Sequence, residues 1–142
     1  VLVNRPAAAL IESLALTVVL SAALYLLALA IFSFLKPQKA SRFLLGFASS
    51  AYLHHLELFI RIIVGGALLV RAPLMMLPVI FTVFGSVLVG TSVCLFFIPW
   101  RWHQEFAQQA VPKVLRHLKL VAAVSFVLGG FIIVSAMLGS TA

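Results

Sequence analysis

The chain has 142 residues, of which 64% are hydrophobic and only 9% are charged, and its mean hydropathy is +1.23. About a quarter of the residues of an average soluble domain are charged, so this composition excludes a water-soluble globular domain. A membrane crossing needs about 20 apolar residues, which leaves length for about four crossings and none for a soluble catalytic domain. The single cysteine, Cys94, excludes a disulfide within this chain and a metal cluster held by several cysteines.

Four long apolar runs predict an all-α, polytopic membrane protein with four transmembrane helices. In chain order these runs cover residues 7–35, 53–74, 74–98 and 118–138. The second and third runs share a residue because the connection between them is very short. We therefore expect residues 1–142 to form a single membrane domain with both termini on the same side of the bilayer.

The basic residues are concentrated in two of the connections. Ten Lys and Arg against three acidic residues would suggest nucleic-acid binding in a soluble protein, but this distribution by connection predicts no nucleic-acid partner. The long connections contain Lys36, Lys39, Arg42, Arg101, Lys113, Arg116 and Lys119, against only Arg5 and Arg71 on the other side. The positive-inside rule then places both termini outside and a basic rim, attractive to anionic lipid headgroups, in the cytoplasm.

The chain contains a faint internal repeat. Shifting the sequence by 62 positions aligns Pro37 with Pro99, and a shift of 64 aligns the pair Gly65 and Gly66 with the pair Gly129 and Gly130. This pattern predicts two tandem, like-oriented hairpins, residues 7–74 and 74–139, related by an axis along the membrane normal.

Both long connections are expected to form short interfacial helices. After Pro99, Trp100 and Trp102 are typical of side chains at headgroup depth, and Arg101 and His103 lie beside them. Phe106, Ala110 and Val114 recur every four residues, and Pro112 is expected to begin the fourth helix. The repeat predicts a similar segment at residues 36–52, with Phe43, Leu44 and Phe47 facing lipid, unless this segment simply extends the second helix.

The motifs of this second half resemble a known family. Pro99-Trp100-Arg101-Trp102, Phe106-Ala107, Pro112, Leu115-Arg116 and Gly129-Gly130 are similar to the hairpin of the YjeT-like small bacterial inner-membrane proteins, a family of uncharacterised function. The resemblance covers residues 86–138 and implies a setting in a bacterial inner membrane. It implies no chemistry.

The most polar stretch within a predicted span lies on the second helix. His54, Glu57 and Arg61 project on one helical face, and Glu57 and Arg61 have the i,i+4 spacing of an ion pair. Ionisable residues at membrane depth usually have a role, so one interpretation is a proton relay or substrate site. The alternative is a structural pair whose long side chains reach the interface.

Three further hypotheses concern side chains that tertiary contact would bring together. His55 and His117, which the repeat aligns, are candidate axial ligands for a b-type haem, although interfacial histidines need no cofactor. Glu12 and Arg71 are expected to meet at the outer ends of the first two helices. Small residues predict where helices pack against each other or against a partner: Gly65, Gly66, Ser86, Gly90, Ser125, Gly129 and Gly130.

The sequence contains no catalytic constellation and no metal-binding motif, so we expect a protein that is not an enzyme. By elimination, the first hypothesis is a structural or accessory subunit that packs against a larger membrane complex or another copy of itself. The second is a haem-binding electron-transfer protein. The third is lipid or small-molecule handling between the two hairpins.

Overall fold

A computed structural model describes residues 5–139 of the chain, apart from the side chains of residues 47–49 and 103. Every element in this part is helical: α1 (Arg5–Leu35), α2 (Pro37–Ser49), α3 (Ala51–Arg71), α4 (Pro78–Phe97), α5 (Trp100–Arg116) and α6 (Leu118–Gly139). A short 3-10 turn, Ala72–Leu74, follows α3. Helices α1, α3, α4 and α6 are long and apolar enough to cross a membrane, so the four predicted spans are confirmed.

Prolines set most of the boundaries between helices. A proline disfavours the helical conformation of the residue before it, and Lys36, Leu77 and Ile98 all leave that conformation. Pro37 and Pro78 then start α2 and α4, at a position where the missing N–H has no consequence. The sequence therefore encodes these breaks locally.

Pro112 is the exception, and the prediction that it begins the fourth helix is wrong. The residue lies inside α5, which continues to Arg116, and α6 begins only at Leu118. A proline inside a helix removes one backbone hydrogen bond and costs about 3 kcal/mol. Val114 and Leu115, beyond the proline, line a partly open cavity at the end of the bundle where α2 and α5 lie.

The two connecting helices lie at the same end of the bundle, which we call the basic end. Helices α2 and α5 contact each other there, and Ser50, which has an extended backbone, interrupts the helix between α2 and α3. The alternative in which residues 36–52 extend the second helix is therefore wrong, because Ser50 is extended. Both connections are amphipathic helices.

The side-by-side arrangement of two hairpins is not confirmed. The most extensive packing joins α1 to α6 and α3 to α4, each pair taking one helix from each predicted hairpin, with α1 and α3 also in contact. Helices α4 and α6 meet near the end opposite the basic one, where the rings of Phe81 and Phe131 stack with centroids 5.5 Å apart. There the Met76 N–H also donates to the Ser135 carbonyl at 3.1 Å.

Two equivalent close approaches hold these helix pairs together. A Cβ at Gly129 would lie 2.8 Å from the Ala23 carbonyl oxygen, and a Cβ at Gly65 would lie 3.1 Å from the Gly85 carbonyl oxygen. Ala23 and Gly85 differ by the same 62 positions as the two repeat prolines. The duplication stays a prediction, which this correspondence supports.

The other predicted small packing residues do not pack inside the bundle. A Cβ at Gly66, Gly90 or Gly130 would meet nothing within 4 Å, and Ser86 is exposed. Ser125 is half-buried. Gly85 is the close partner of Gly65. It was not among the predicted packing residues, because no small-xxx-small spacing on α4 includes it.

Candidate ligand-binding cavity

A cavity of about 660 Å³ lies at the basic end of the bundle, and we call it the α5 cavity because α5 supplies more of its wall than any other helix. Ligand sites of small molecules fall mostly within about 300–1,000 Å³ and have apolar walls with a few polar groups. The apolar wall comes from α1, α2, α3, α5 and α6: Tyr25, Phe43, Leu44, Ile60, Phe106, Ala107, Ala110, Val111, Val114, Leu115 and Val121. The cavity has the size and the lining of such a site.

This wall includes the predicted apolar stripes of both connecting helices. Phe106, Ala110 and Val114 form the stripe of α5 and line the cavity, and Phe106 and Val114 are also 68% and 46% exposed. Phe43 and Leu44, expected to face lipid, line it as well, although Phe43 is also partly exposed. The side chain of Phe47 lies outside the described residues. An apolar stripe shows that a helix has an apolar side, but lipid and a protein cavity satisfy that side equally well.

The polar part of the wall comes from α3. His54, Glu57 and Arg61 all line the cavity, so the structure brings together the three residues that the sequence placed on one helical face. The predicted ion pair is present, with Arg61 Nη1 3.9 Å from Glu57 Oε1. Because the two side chains are 32% and 45% exposed, this long i,i+4 contact contributes only about 0.3–0.5 kcal/mol.

A second contact fixes the Arg61 side chain. Its Nη2 donates to Thr91 Oγ1 at 3.2 Å, and the Thr91 hydroxyl donates in turn to the Val87 carbonyl at 2.7 Å. Arg61 therefore links α3 to α4 while its guanidinium stays at the cavity wall. The carboxylate of Glu57 and this guanidinium offer a hydrogen-bond acceptor and donor within one site.

His54 is buried against the first residue of α5. Its ring centroid lies 5.1 Å from that of Trp100, and only 4% of His54 is exposed. Trp100 lines the cavity too. It was predicted as an interfacial residue, and no local sequence signal indicates that the chain brings it back to α3. Arg101 and Trp102 are exposed, while the side chain of His103 lies outside the described residues.

The two histidines aligned by the repeat lie in different surroundings. His55 is exposed, its Nδ1 lies 2.7 Å from the Ala51 carbonyl oxygen of its own helix, and its ring contacts Phe96 of α4. His117 lies at the junction of α5 and α6, beside a separate opening. This placement does not favour a haem held between them. Among the described residues, no group of three or more His, Cys, Asp or Glu side chains is arranged to hold a metal ion.

The structure does not form the expected contact between Glu12 and Arg71. Glu12 is exposed on α1, whereas Arg71 is 7% exposed and its buried Nε has no hydrogen-bond partner. Helix α1 has 31 residues and the span containing Arg71 has 24, so equal distances from the helix ends do not correspond to equal depths.

Comparison of the chain with models of known protein families, with curated proteins and with solved structures found no significant match. The resemblance to the YjeT-like proteins stays an expectation from the motifs.

Proposed function

We propose that this small multi-pass membrane protein binds one amphipathic, chain-bearing molecule in the α5 cavity. The observation that carries the proposal is the composition of the wall, in which a partly open apolar cavity of about 660 Å³ ends in a cluster of three polar side chains, His54, Glu57 and Arg61. Of the three sequence hypotheses, this is the lipid or small-molecule handling one. The apolar chain of the ligand fills the part lined by α5, and its polar end lies at α3.

The polar part of the wall is what distinguishes this site from the surrounding lipid. In a membrane the chain of a ligand already lies among lipid tails as apolar as the wall, so the cavity offers that chain close packing rather than transfer from water. The weak contact between Glu57 and Arg61 leaves both groups able to exchange hydrogen bonds with a ligand that donates and accepts. A ligand with a polar end and an apolar chain therefore satisfies both parts of the wall.

The two tryptophans provide a direct test, because Trp100 lines the cavity and Trp102 is 71% exposed. The probe is lysophosphatidylcholine with a brominated chain, added at a small mole fraction of a mild detergent. In the Trp102→Phe variant we expect saturable quenching of Trp100 fluorescence. In the Trp100→Phe variant, Trp102 should follow the non-saturating quenching of the detergent surface. Equal quenching curves for the two tryptophans would overturn the proposal.

A cavity-filling substitution provides the matched control. Ala110→Phe places a large side chain in the space that the ligand chain needs, and overpacking of about 1–3 kcal/mol weakens binding by about fivefold or more. Ala123→Phe adds the same side chain at an exposed position of α6 and should leave binding unchanged. Unfolding temperatures of both variants show whether they fold. An Ala110→Phe variant that is folded and binds normally would place the ligand elsewhere.

A second candidate function is the accessory-subunit role, which the open glycines favour. Gly66, Gly90 and Gly130 have open space where a Cβ would be, so a helix of another chain could approach there closely. Purification from native membranes in mild detergent tests this role. Proteins that co-migrate with the wild type and are lost in Gly90→Leu support it, and a solitary monomer argues against it.

We also propose that the basic end faces the cytoplasm of an inner membrane, with both termini on the other side. The seven basic residues of the connections, against two at the other end, support this orientation. The test is a membrane-impermeant maleimide applied to intact cells that express Lys113→Cys in a Cys94→Ser background. Labelling only after the membrane is permeabilised is expected, and labelling of intact cells would reverse the orientation.

A further inference from the structure

A second cavity lies between the start of α2 and the junction of α5 with α6, and we call it the α2–α6 cleft. Its volume is about 500 Å³, and it is open to the surroundings on one side. Its polar wall consists of Gln38 and Ser41 from α2, with Arg116, His117 and Lys119 from the junction. Leu115 lines both this cleft and the α5 cavity, so the last turn of α5 separates the two.

The charge of the cleft is entirely of one sign. Two of its lining residues are permanent cations and none is acidic. The chain has three acidic residues, of which Glu57 lies in the other cavity beside Arg61. Glu105 precedes Arg116 by eleven positions on α5, which is about 16 Å along a helix and beyond the screening length of about 8 Å at physiological salt.

The helix ends add to this field. Both α2 and α6 begin at the cleft, with Pro37 and Leu118 in its wall, and no side chain caps α2. Helix N-termini carry partial positive charge and unpaired N–H groups, which favour anions. The C-terminal end of α5 also borders the cleft, and Lys113 and Arg116 in its last turn offset the partial negative charge of that end.

We propose that the α2–α6 cleft binds the phosphate group of an anionic lipid headgroup. Arg116 and Lys119 pair with the phosphate oxygens, and Gln38 and Ser41 offer further hydrogen bonds. The cleft lies where the connecting helices meet the spans, and the ends of spans are where a membrane protein meets headgroups. Its wall also includes Leu120, which is 64% exposed. An acyl chain of the bound lipid can pack against this apolar surface beside the cleft, whereas a soluble phosphate compound has no apolar chain to pack there.

The experiment is a titration of the full chain, in a mild zwitterionic detergent, with short-chain phosphatidylglycerol. Each basic residue near an anionic headgroup contributes about fivefold in affinity, so Arg116→Gln combined with Lys119→Gln should weaken binding by about 30-fold. The matched control, Arg5→Gln with Arg101→Gln, removes the same charge at positions outside the cleft and its helix ends, and should change affinity by less than about twofold. Circular dichroism and unfolding temperature establish that both variants fold.

Further titrations distinguish a lipid phosphate from a soluble one, and the α2–α6 cleft from the α5 cavity. Inorganic phosphate should bind far more weakly than phosphatidylglycerol, and equal affinities would overturn the lipid assignment. Equal losses in the two double variants would show only a general attraction to positive charge, which overturns the cleft. All variants are titrated in the Ala110→Phe background, which fills the α5 cavity, so the loss at the cleft is measured alone and the cleft can stand even if the proposed ligand of the α5 cavity is wrong.

Discussion

Gly129 of α6 lies directly against the backbone of Ala23 on α1. A Cβ at position 129 would be 2.8 Å from the Ala23 carbonyl oxygen and 3.0 Å from Leu27 Cγ. In a bilayer, helices associate through close packing because lipid tails are as apolar as the helix surfaces. This contact therefore helps to determine that α1 packs mainly against α6.

Gly129→Ala should destabilise the protein. The added methyl group meets backbone, which cannot move aside as a flexible side chain can, and overpacking of this kind costs about 1–3 kcal/mol. Unfolding in detergent measures the loss. The adjacent Gly130→Ala is the control, because a Cβ there meets nothing within 4 Å and the helix gains up to about 1 kcal/mol from alanine. Equal effects of the two substitutions would contradict the packing.

Gly65→Ala should destabilise less than Gly129→Ala. The nearest atom to the added Cβ is Val89 Cγ2 at 2.7 Å, a side-chain methyl group that can be removed, and the Gly85 oxygen follows at 3.1 Å. Val89→Ala in the Gly65→Ala background should recover part of the lost stability, and Gly66→Ala should be neutral or stabilising. The same unfolding assay checks all three, and a failure of Val89→Ala to recover stability would indicate that the backbone contact dominates.

Arg71→Met should stabilise the protein in detergent. The Arg71 side chain is almost fully buried and its Nε has no hydrogen-bond partner, and an unsatisfied buried polar group costs about 1–3 kcal/mol. Methionine has a similar length without that cost. Since Glu12 is exposed and does not pair with Arg71, Glu12→Gln should change the unfolding free energy by less than about 0.5 kcal/mol. Destabilisation by Arg71→Met would mean that the arginine has a partner from outside the chain.

Pro112→Ala should stabilise α5 by as much as about 3 kcal/mol, because the helix passes through this proline. Helical content from circular dichroism and the unfolding free energy measure the gain. Pro37→Ala is the control, since Pro37 occupies the first position of α2 and its fixed φ suits a helix start. We expect that control to be neutral or destabilising. A gain at Pro37 as large as at Pro112 would contradict the difference in position.

The features that the sequence predicted well are local. Pro37 and Pro99 act on the residue directly before them, so the helix breaks there follow from the local sequence. The break before Pro78 has the same cause, but the predicted third span, 74–98, ran through it. The face of α3 that carries His54, Glu57 and Arg61 follows from the pitch of a single helix. Pro112 shows where this reasoning fails, because α5 passes through this proline and ends only at Arg116.

Only part of the candidate site could be predicted from the sequence. Its polar residues were recognised on α3, but the apolar stripe of α5 gave no sign that it covers them, and Trp100 was expected at the surface. The α2–α6 cleft was not predicted either. Gln38 and Lys119 are 81 positions apart in the sequence, and they line one cleft only because the fold places the start of α2 beside the start of α6.

By itself the sequence determined the number of spans, their ends and the segregation of basic charge, because hydropathy, proline and charge act within one segment. Only the tertiary structure decided that α1 packs chiefly on α6 and α3 on α4, that α5 encloses a cavity, and that Arg71 is buried without Glu12. The physical reason is that the spans are apolar on nearly every side. In a bilayer a lipid-facing side chain and a core side chain look alike, so the pattern of hydrophobic residues does not specify which faces meet.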